Sequence, residues 1–259
     1  MSRQDIIFGR NSVREAIKKG DQIDKILALS GASDGSIGEI LFLARQQRII
    51  VKPATRQKLD ELCEGLGPDG RTGNHQGIVA LVPAFSYGEM EDIFAVAASR
   101  GEKPFVVILD SIQDPQNLGA IIRSAEVLGA HGVIIGKHRS AGLNAAAYKV
   151  SCGAAQYIPV VRVTNLSSAI EELKRRGLWI AAADMTGQPL SKMDLTGPLG
   201  VIIGSEGEGV SKLLKQNSDM VISIEMAGQV SSLNASCAAS VILYEKLRQE
   251  IVKRGNGKS

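Results

Sequence analysis

Three short segments of this 259-residue chain hold side chains whose types and spacing can do chemistry. Asp114-Pro115-Gln116-Asn117-Leu118-Gly119, followed by Arg123, sets an amide and a guanidinium along one expected helix. Gly204-Ser205-Glu206-Gly207-Glu208-Gly209 sets a carboxylate among glycines directly after an apolar run. Ser232-Leu233-Asn234 brings a hydroxyl and an amide to the start of a long helical pattern. Such donors, acceptors and one permanent positive charge suit the orientation of a polar or anionic substrate.

Each segment also has a plain structural reading. Asn117 can cap a helix, Arg123 can pair with Glu126 on a helix surface, and Glu206 can face a helix dipole. In the third segment capping needs one residue, whereas Ser232, Asn234 and Ser236 all compete for it, so a ligand contact is the more economical reading. The glycines at 204, 207 and 209 match neither the dinucleotide fingerprint nor the Walker spacing. They still imply backbone packed close against a chain segment or a ligand.

The elements that must position these segments are legible from periodicity. From Phe105 onward, runs that are apolar on nearly every residue read as strands covered on both faces: 105–109, 132–135, 157–163, 179–183, 199–203 and 221–224. Helical patterns at 118–128, 165–176, 210–215 and 233–253 alternate with them, which predicts a mostly parallel α/β sheet. In the first helix Leu118, Ile121, Ile122, Ala125 and Leu128 form the buried stripe, leaving Arg123 off it. A smaller α/β unit is expected over 1–83, with helices at 13–17 and 39–47 and strands at 25–29 and 76–82. Turn residues around a short helical pattern at 90–98 place a connector at 84–103 and the main domain at 104–259.

Composition bounds the class. Hydrophobic residues at 44% and charged residues at 22% describe an ordinary globular protein. No apolar run is long enough to span a bilayer, and Met1 to Asp5 lacks the layout of a secretion signal, so a cytoplasmic protein is expected. Cys63, Cys152 and Cys237 are expected to be buried reduced thiols, and the three histidines lack ligand spacing, so no metal site is expected. A net charge of +3 permits an RNA partner without requiring one.

Together the three segments resemble the SpoU/TrmH branch of the SPOUT RNA methyltransferases, over residues 104 to 250. The front unit, with Gly9-Arg10-Asn11-Ser12-Val13 and Asn74-His75-Gln76-Gly77-Ile78-Val79, resembles the substrate-binding domain of the ribosomal RNA guanosine-2′-O-methyltransferase subgroup, similar to a small ribosomal-protein fold. The resemblance implies an S-adenosylmethionine-dependent enzyme acting on a ribose 2′-hydroxyl, a C-terminal domain tied in a deep trefoil knot, and a homodimer through that domain. It implies cofactor contacts at Gly204, Ile224, Leu233 and Met226, and a central role for Arg123 supported by Asn117, Glu206, Ser232 and Asn234. Arg123 is either the base or a phosphate clamp, and a guanidinium with a pKa above about 12 makes the first role chemically difficult. Arg10, Asn11, His75 and Gln76 are the expected RNA contacts, with His75 equally suited to stabilising its loop. Lys174-Arg175-Arg176 and Lys253-Arg254 read by default as solvated helix faces.

Two other readings compete with this one. A Rossmann enzyme would want G-x-G-x-x-G after the first strand, where only Gly119 stands. A non-catalytic RNA-binding assembly protein would not require Asn117, Arg123, Glu206 and Asn234 together. Within the methyltransferase reading a large-subunit ribosomal guanosine is the expected target, with transfer RNA or a ribosomal adenosine as alternatives.

Overall fold

The computed structural model describes residues 5–21, 23–32, 35–67, 70–82, 86–229 and 232–256. The leader reading at Met1 to Gln4, the start of the connector at Pro83 to Phe85, and Val230-Ser231 beside the third segment lie outside the described residues. The chain divides into two compact units, Met1–Ser86 and Tyr87–Ser259.

The front unit is a four-stranded sheet of β1 (Asp5–Phe8), β2 (Lys25–Leu29), β3 (Ile50–Ala54) and β4 (Ile78–Val82), ordered β1-β4-β2-β3. Only β2 and β3 are parallel; β4 runs antiparallel to both of its neighbours. Side chains on β4 alternate between two cores, as a strand period of two requires. Ile78 and Ala80 meet Val13 and Ile17 of α1 (Arg10–Lys19) and Ile40 and Ala44 of α2 (Ser36–Gln46). Val79 and Leu81 instead meet Leu59 of α3 (Arg56–Leu62) and Cys63. Helices therefore cover both faces, which is why β4 is apolar along its whole length.

The second unit is one six-stranded, wholly parallel sheet. Its strands are β5 (Phe105–Leu109), β6 (Gly132–Gly136), β7 (Val160–Val163), β8 (Trp179–Pro189), β9 (Leu199–Ile203) and β10 (Met220–Ser223), ordered β10-β8-β9-β5-β6-β7. One face packs against α4 (Met90–Ser99), α7 (Leu166–Arg175) and α8 (Lys212–Asn217) through Ile93, Ile170, Leu173 and Leu214. On the other side α5 (Pro115–Val127) packs on β6, on the short α6 (Ala145–Val150) and on α9 (Ala235–Asn256), which itself reaches β9. All five residues of β5 and of β9 are buried.

Helix α4 departs from the expected connector at 84–103. Its Met90 and Ile93 enter the core of the second unit, because two apolar side chains one turn apart make a helix face that must be covered. Strand β8 also runs past its expected end, making an excursion at 183–187 before Gln188 and Pro189 rejoin β10. No helix among the described residues is long and apolar enough to cross a membrane.

Candidate active site

The first two segments leave neighbouring strands. β5 and β9 pair in register from Phe105 opposite Leu199 to Leu109 opposite Ile203, and the Asp110 N–H donates to the Ile203 carbonyl (2.9 Å). The order of the sheet changes direction here: the chain moves outward from β5 to β6 and β7, then returns to lay β9 on the other side of β5. Strand ends at such a switch point open the crevice where parallel sheets bind ligands. Asp110, buried, accepts from the Ser111 hydroxyl (3.1 Å) and the Ser211 N–H (2.8 Å), tying the two strand ends together.

Asn117 is not the cap of α5. Asp114 takes that position by accepting from the Gln116 N–H (3.0 Å), with Pro115 opening the helix. Asn117 is thus left inside the first turn with its amide free to donate across to Glu206 Oε1 (3.2 Å). Asn234 does two jobs. Its Oδ1 accepts from the Ser236 N–H (2.9 Å) and the Cys237 N–H (3.3 Å), capping α9, while its Nδ2 donates to Asn117 Oδ1 (3.0 Å) and to Glu206 Oε1. Three side chains separated by 89, 28 and 117 residues close one hydrogen-bonded triangle.

The glycine loop gives Glu206 its place. A Cβ on Gly204 would stand 2.0 Å from the Gly209 carbonyl carbon, so the loop can fold back only with glycine there. Gly209 holds φ +65 and donates to the Ser205 carbonyl (2.9 Å).

The folded-back loop forms a wall shared by two cavities. One, about 700 Å³, is largely apolar, with Ile203, Ile222, Ile224, Met226, Leu233 and Ile242 on its surface, and Gly204, Glu206 and Ser232 also border it. Met226 and Leu233 are 43% and 39% exposed. The other cavity, about 740 Å³, is polar and includes Asn117, Asp114, Glu206, Glu208 and Arg139. The four residues expected to hold the cofactor therefore border one cavity, and the Asn117–Glu206–Asn234 triangle adjoins it. The 183–187 excursion adds Asp184, Met185 and Thr186 to the apolar cavity. Asp184 accepts from Lys215 Nζ (2.8 Å) and the Thr186 hydroxyl (2.6 Å); these bonds outweigh burial, which works in the opposite direction, and hold its carboxyl below the ordinary value. Sequence reasoning missed this wall, although Asp184-Met185-Thr186-Gly187 repeats the signature of the other segments, an apolar run broken by a polar turn.

Arg123 lies apart. It is exposed, borders neither cavity, and has its guanidinium 3.5 Å from the Cys152 sulfur. Of the three free cysteines only Cys63 is buried; Cys152, held at φ +50 in a turn, and Cys237, on the first turn of α9, are exposed, contrary to expectation.

In the front unit the expected RNA contacts split. His75 is 7% exposed with both ring nitrogens engaged: Nδ1 accepts from the Gly77 N–H (2.9 Å), which leaves Nε2–H to donate to Asp60 (3.0 Å). This geometry makes His75 a loop-holding residue. Arg10 donates to the Gln76 carbonyl (3.1 Å) and the Ser36 hydroxyl (3.0 Å), and its N–H to Gln76 Oε1 (3.0 Å). Asn11 is exposed on α1 and accepts from Arg14 (3.1 Å). Arg10, His75 and Gln76 border a polar cavity of about 730 Å³ with Arg56 and Asn74. Of the basic helix residues, Lys174, Arg176 and Arg254 are ion-paired to Asp219, Glu91 with Glu172, and Glu102.

Comparison with known proteins identifies the architecture. The profile of the SpoU rRNA Methylase family matches residues 104–244, and that of "RNA 2'-O ribose methyltransferase substrate binding" matches residues 6–88. A Bacillus subtilis (strain 168) protein, YacO, named for the TrmH family of tRNA/rRNA methyltransferases, is 41% identical over 251 residues, covering 96% of this chain and 98% of its own. The SpoU methyltransferase AviRb from Streptomyces viridochromogenes, solved in complex with the cofactor AdoMet, superposes with a TM-score of 0.59 at 27% identity, covering 95% of this chain and 90% of its own. The TrmH/SpoU tRNA modifying enzyme of A. aeolicus gives a TM-score of 0.54 at 28% identity over 59% of this chain and 78% of its own. With a profile over more than half its length and a relative aligned nearly end to end, the chain belongs to the SpoU/TrmH family of RNA methyltransferases.

Proposed function

We propose that this protein transfers a methyl group from S-adenosylmethionine to a ribose 2′-hydroxyl of RNA, the target being a guanosine of large-subunit ribosomal RNA. The observation that carries this reading is the Asn117–Glu206–Asn234 triangle, whose Glu206 borders both the apolar cavity and the polar one that Asn117 borders. A volume of about 700 Å³ falls within the roughly 300–1,000 Å³ of small-molecule sites, and its apolar walls fit a purine ring. Backbone at Gly204, Ile224 and Leu233 and the Met226 side chain would hold the cofactor. When bound, S-adenosylmethionine supplies an electrophilic methyl group on a sulfonium.

In-line displacement needs the acceptor oxygen close and aligned, and a hydroxyl reacts well only as its proton leaves. Glu206, held by two amides, and Ser232 orient the ribose. Arg123, a guanidinium that keeps its proton, clamps an RNA phosphate and so fixes the sugar. Because Arg123 stands apart from the cavities of its own chain, the site is completed in a homodimer, with Arg123 contributed by the partner subunit. The exposed apolar residues Val127 on α5 and Val241 and Tyr244 on α9, two helices joined by the Ser124–Ser240 hydrogen bond (2.8 Å), offer the interface. The same reading ties the C-terminal domain in a deep trefoil knot. The front unit reads RNA shape through Arg10, Asn11 and Gln76; its match to a substrate-binding profile supports this.

The test is methyl transfer to RNA by wild type and Arg123→Ala. The variant should lose turnover while calorimetry gives an unchanged affinity for S-adenosylmethionine; a near wild-type rate rejects the site. Arg123→Lys, which keeps charge but loses the fork, should recover little activity. Mapping 2′-O-methyl groups in ribosomal and transfer RNA from cells with and without the gene identifies the nucleotide.

A further inference from the structure

Arg139 belongs to none of the three segments, yet it borders the polar cavity beside Asn117 and Glu206. Its turn, directly after β6, is held at both ends: the Lys137 N–H donates to the Val163 carbonyl and the Ala141 N–H to the Ile112 carbonyl, each at 2.7 Å. Between these anchors Arg139 takes φ +54, a left-handed conformation that few non-glycine residues hold. The side chain is exposed, and among the described residues it has no acidic partner. It is also the only cation among the residues bordering that cavity, against the three acids Asp114, Glu206 and Glu208.

That imbalance matters for a polyanionic substrate. A ribose enters the cavity with its flanking phosphodiesters, and three carboxylates repel them. We propose that Arg139 receives the phosphodiester next to the acceptor ribose, offsetting those acids and setting the register of the strand in the cavity. The role rests on the RNA 2′-hydroxyl reading above and is one of binding and positioning, distinct from Arg123, which arrives from the partner subunit. A guanidinium suits it because its planar fork meets two phosphate oxygens at once.

The experiment compares wild type, Arg139→Gln and Arg139→Lys on total RNA from a strain lacking the gene. Arg139→Gln should raise the KM for RNA about tenfold with kcat nearly unchanged. Its plot of log affinity against log salt should be shallower by about 0.7 to 0.9, one phosphate contact. Arg139→Lys should restore most of the slope, and calorimetry should give the same S-adenosylmethionine affinity for all three. A wild-type KM and salt slope in Arg139→Gln overturn the proposal, as does a fall in kcat with both unchanged. If the wild-type enzyme methylates no RNA in this assay, the underlying reading fails and the Arg139 role falls with it.

Discussion

The turn before β4 in the front unit and the strand-end loops of the second unit use the same materials, amides, a titratable side chain and glycines, to different ends. In the front unit the hydrogen bonds brace one loop: His75 joins Asp60 to Gly77, and Arg10 joins Gln76 to Ser36. The result is a stiff polar surface of the kind that reads nucleic-acid shape. In the second unit Asn117, Glu206 and Asn234 satisfy one another across long stretches of sequence, and Glu206 also borders an apolar space. The two regions differ in the cavity their polar side chains border, polar in the front unit and largely apolar beside Glu206 in the second.

The strongest way to break this contrast is Glu206→Ala, which should lower methyl transfer about 10²-fold by releasing Asn117 and Asn234, measured under single-turnover conditions; an unchanged rate would make the triangle a structural brace like the His75 turn. Next, Gly204→Ala forces the loop off Gly209 and should cost about 1–3 kcal/mol, with loss of the thermal stabilisation that S-adenosylmethionine gives wild type. His75→Ala should destabilise the protein by about 1–2 kcal/mol in urea unfolding, by stranding the Gly77 N–H, yet leave the salt dependence of RNA binding intact. A shallower salt slope would return His75 to the RNA contacts.

The smallest effect comes from the second buried histidine. His131 accepts from the Phe105 N–H (3.0 Å) and meets Glu102 (3.2 Å); burial holds its imidazole below the ordinary value, with Glu102 working against it. The folded chain then binds this proton less readily than the unfolded chain. The stability it contributes is complete above about pH 6.5 and is lost as pH falls through the lower folded value. Thermal unfolding from pH 7.5 to 5 should register this decline, and His131→Gln should flatten it.

Much of the second unit was legible because parallel strands covered on both faces leave an unmistakable mark. The expected limits of the first and fifth runs coincide with β5 and β9. Several smaller elements were not read. β3 contains Lys52 and Pro53, which argue against a strand, yet at the sheet edge with β2 as its only partner a missing N–H costs little. β1 and α6 were also missed. At the site, residue types alone left Asn117 and Asn234 open as caps, because capping depends on which carbonyl or carboxylate reaches the helix end first. Asp114 wins on α5, whereas Asn234 serves α9 and the triangle at once. Arg139 carried no sequence signal, since neither its left-handed turn nor its neighbours across the cavity are local.

The pairing of β5 with β9 also has a bearing on how the molecule comes into being. During synthesis β5 can find β6 almost at once, but its other edge stays bare until Leu199–Ile203 has emerged from the ribosome. While residues 110–198 are being made the nascent protein thus exposes a sticky, wholly apolar ribbon, the sort of edge on which chains aggregate. A chain stalled before Ile203 would lack a complete β9 and every cavity wall that follows it, and would be prone to self-association.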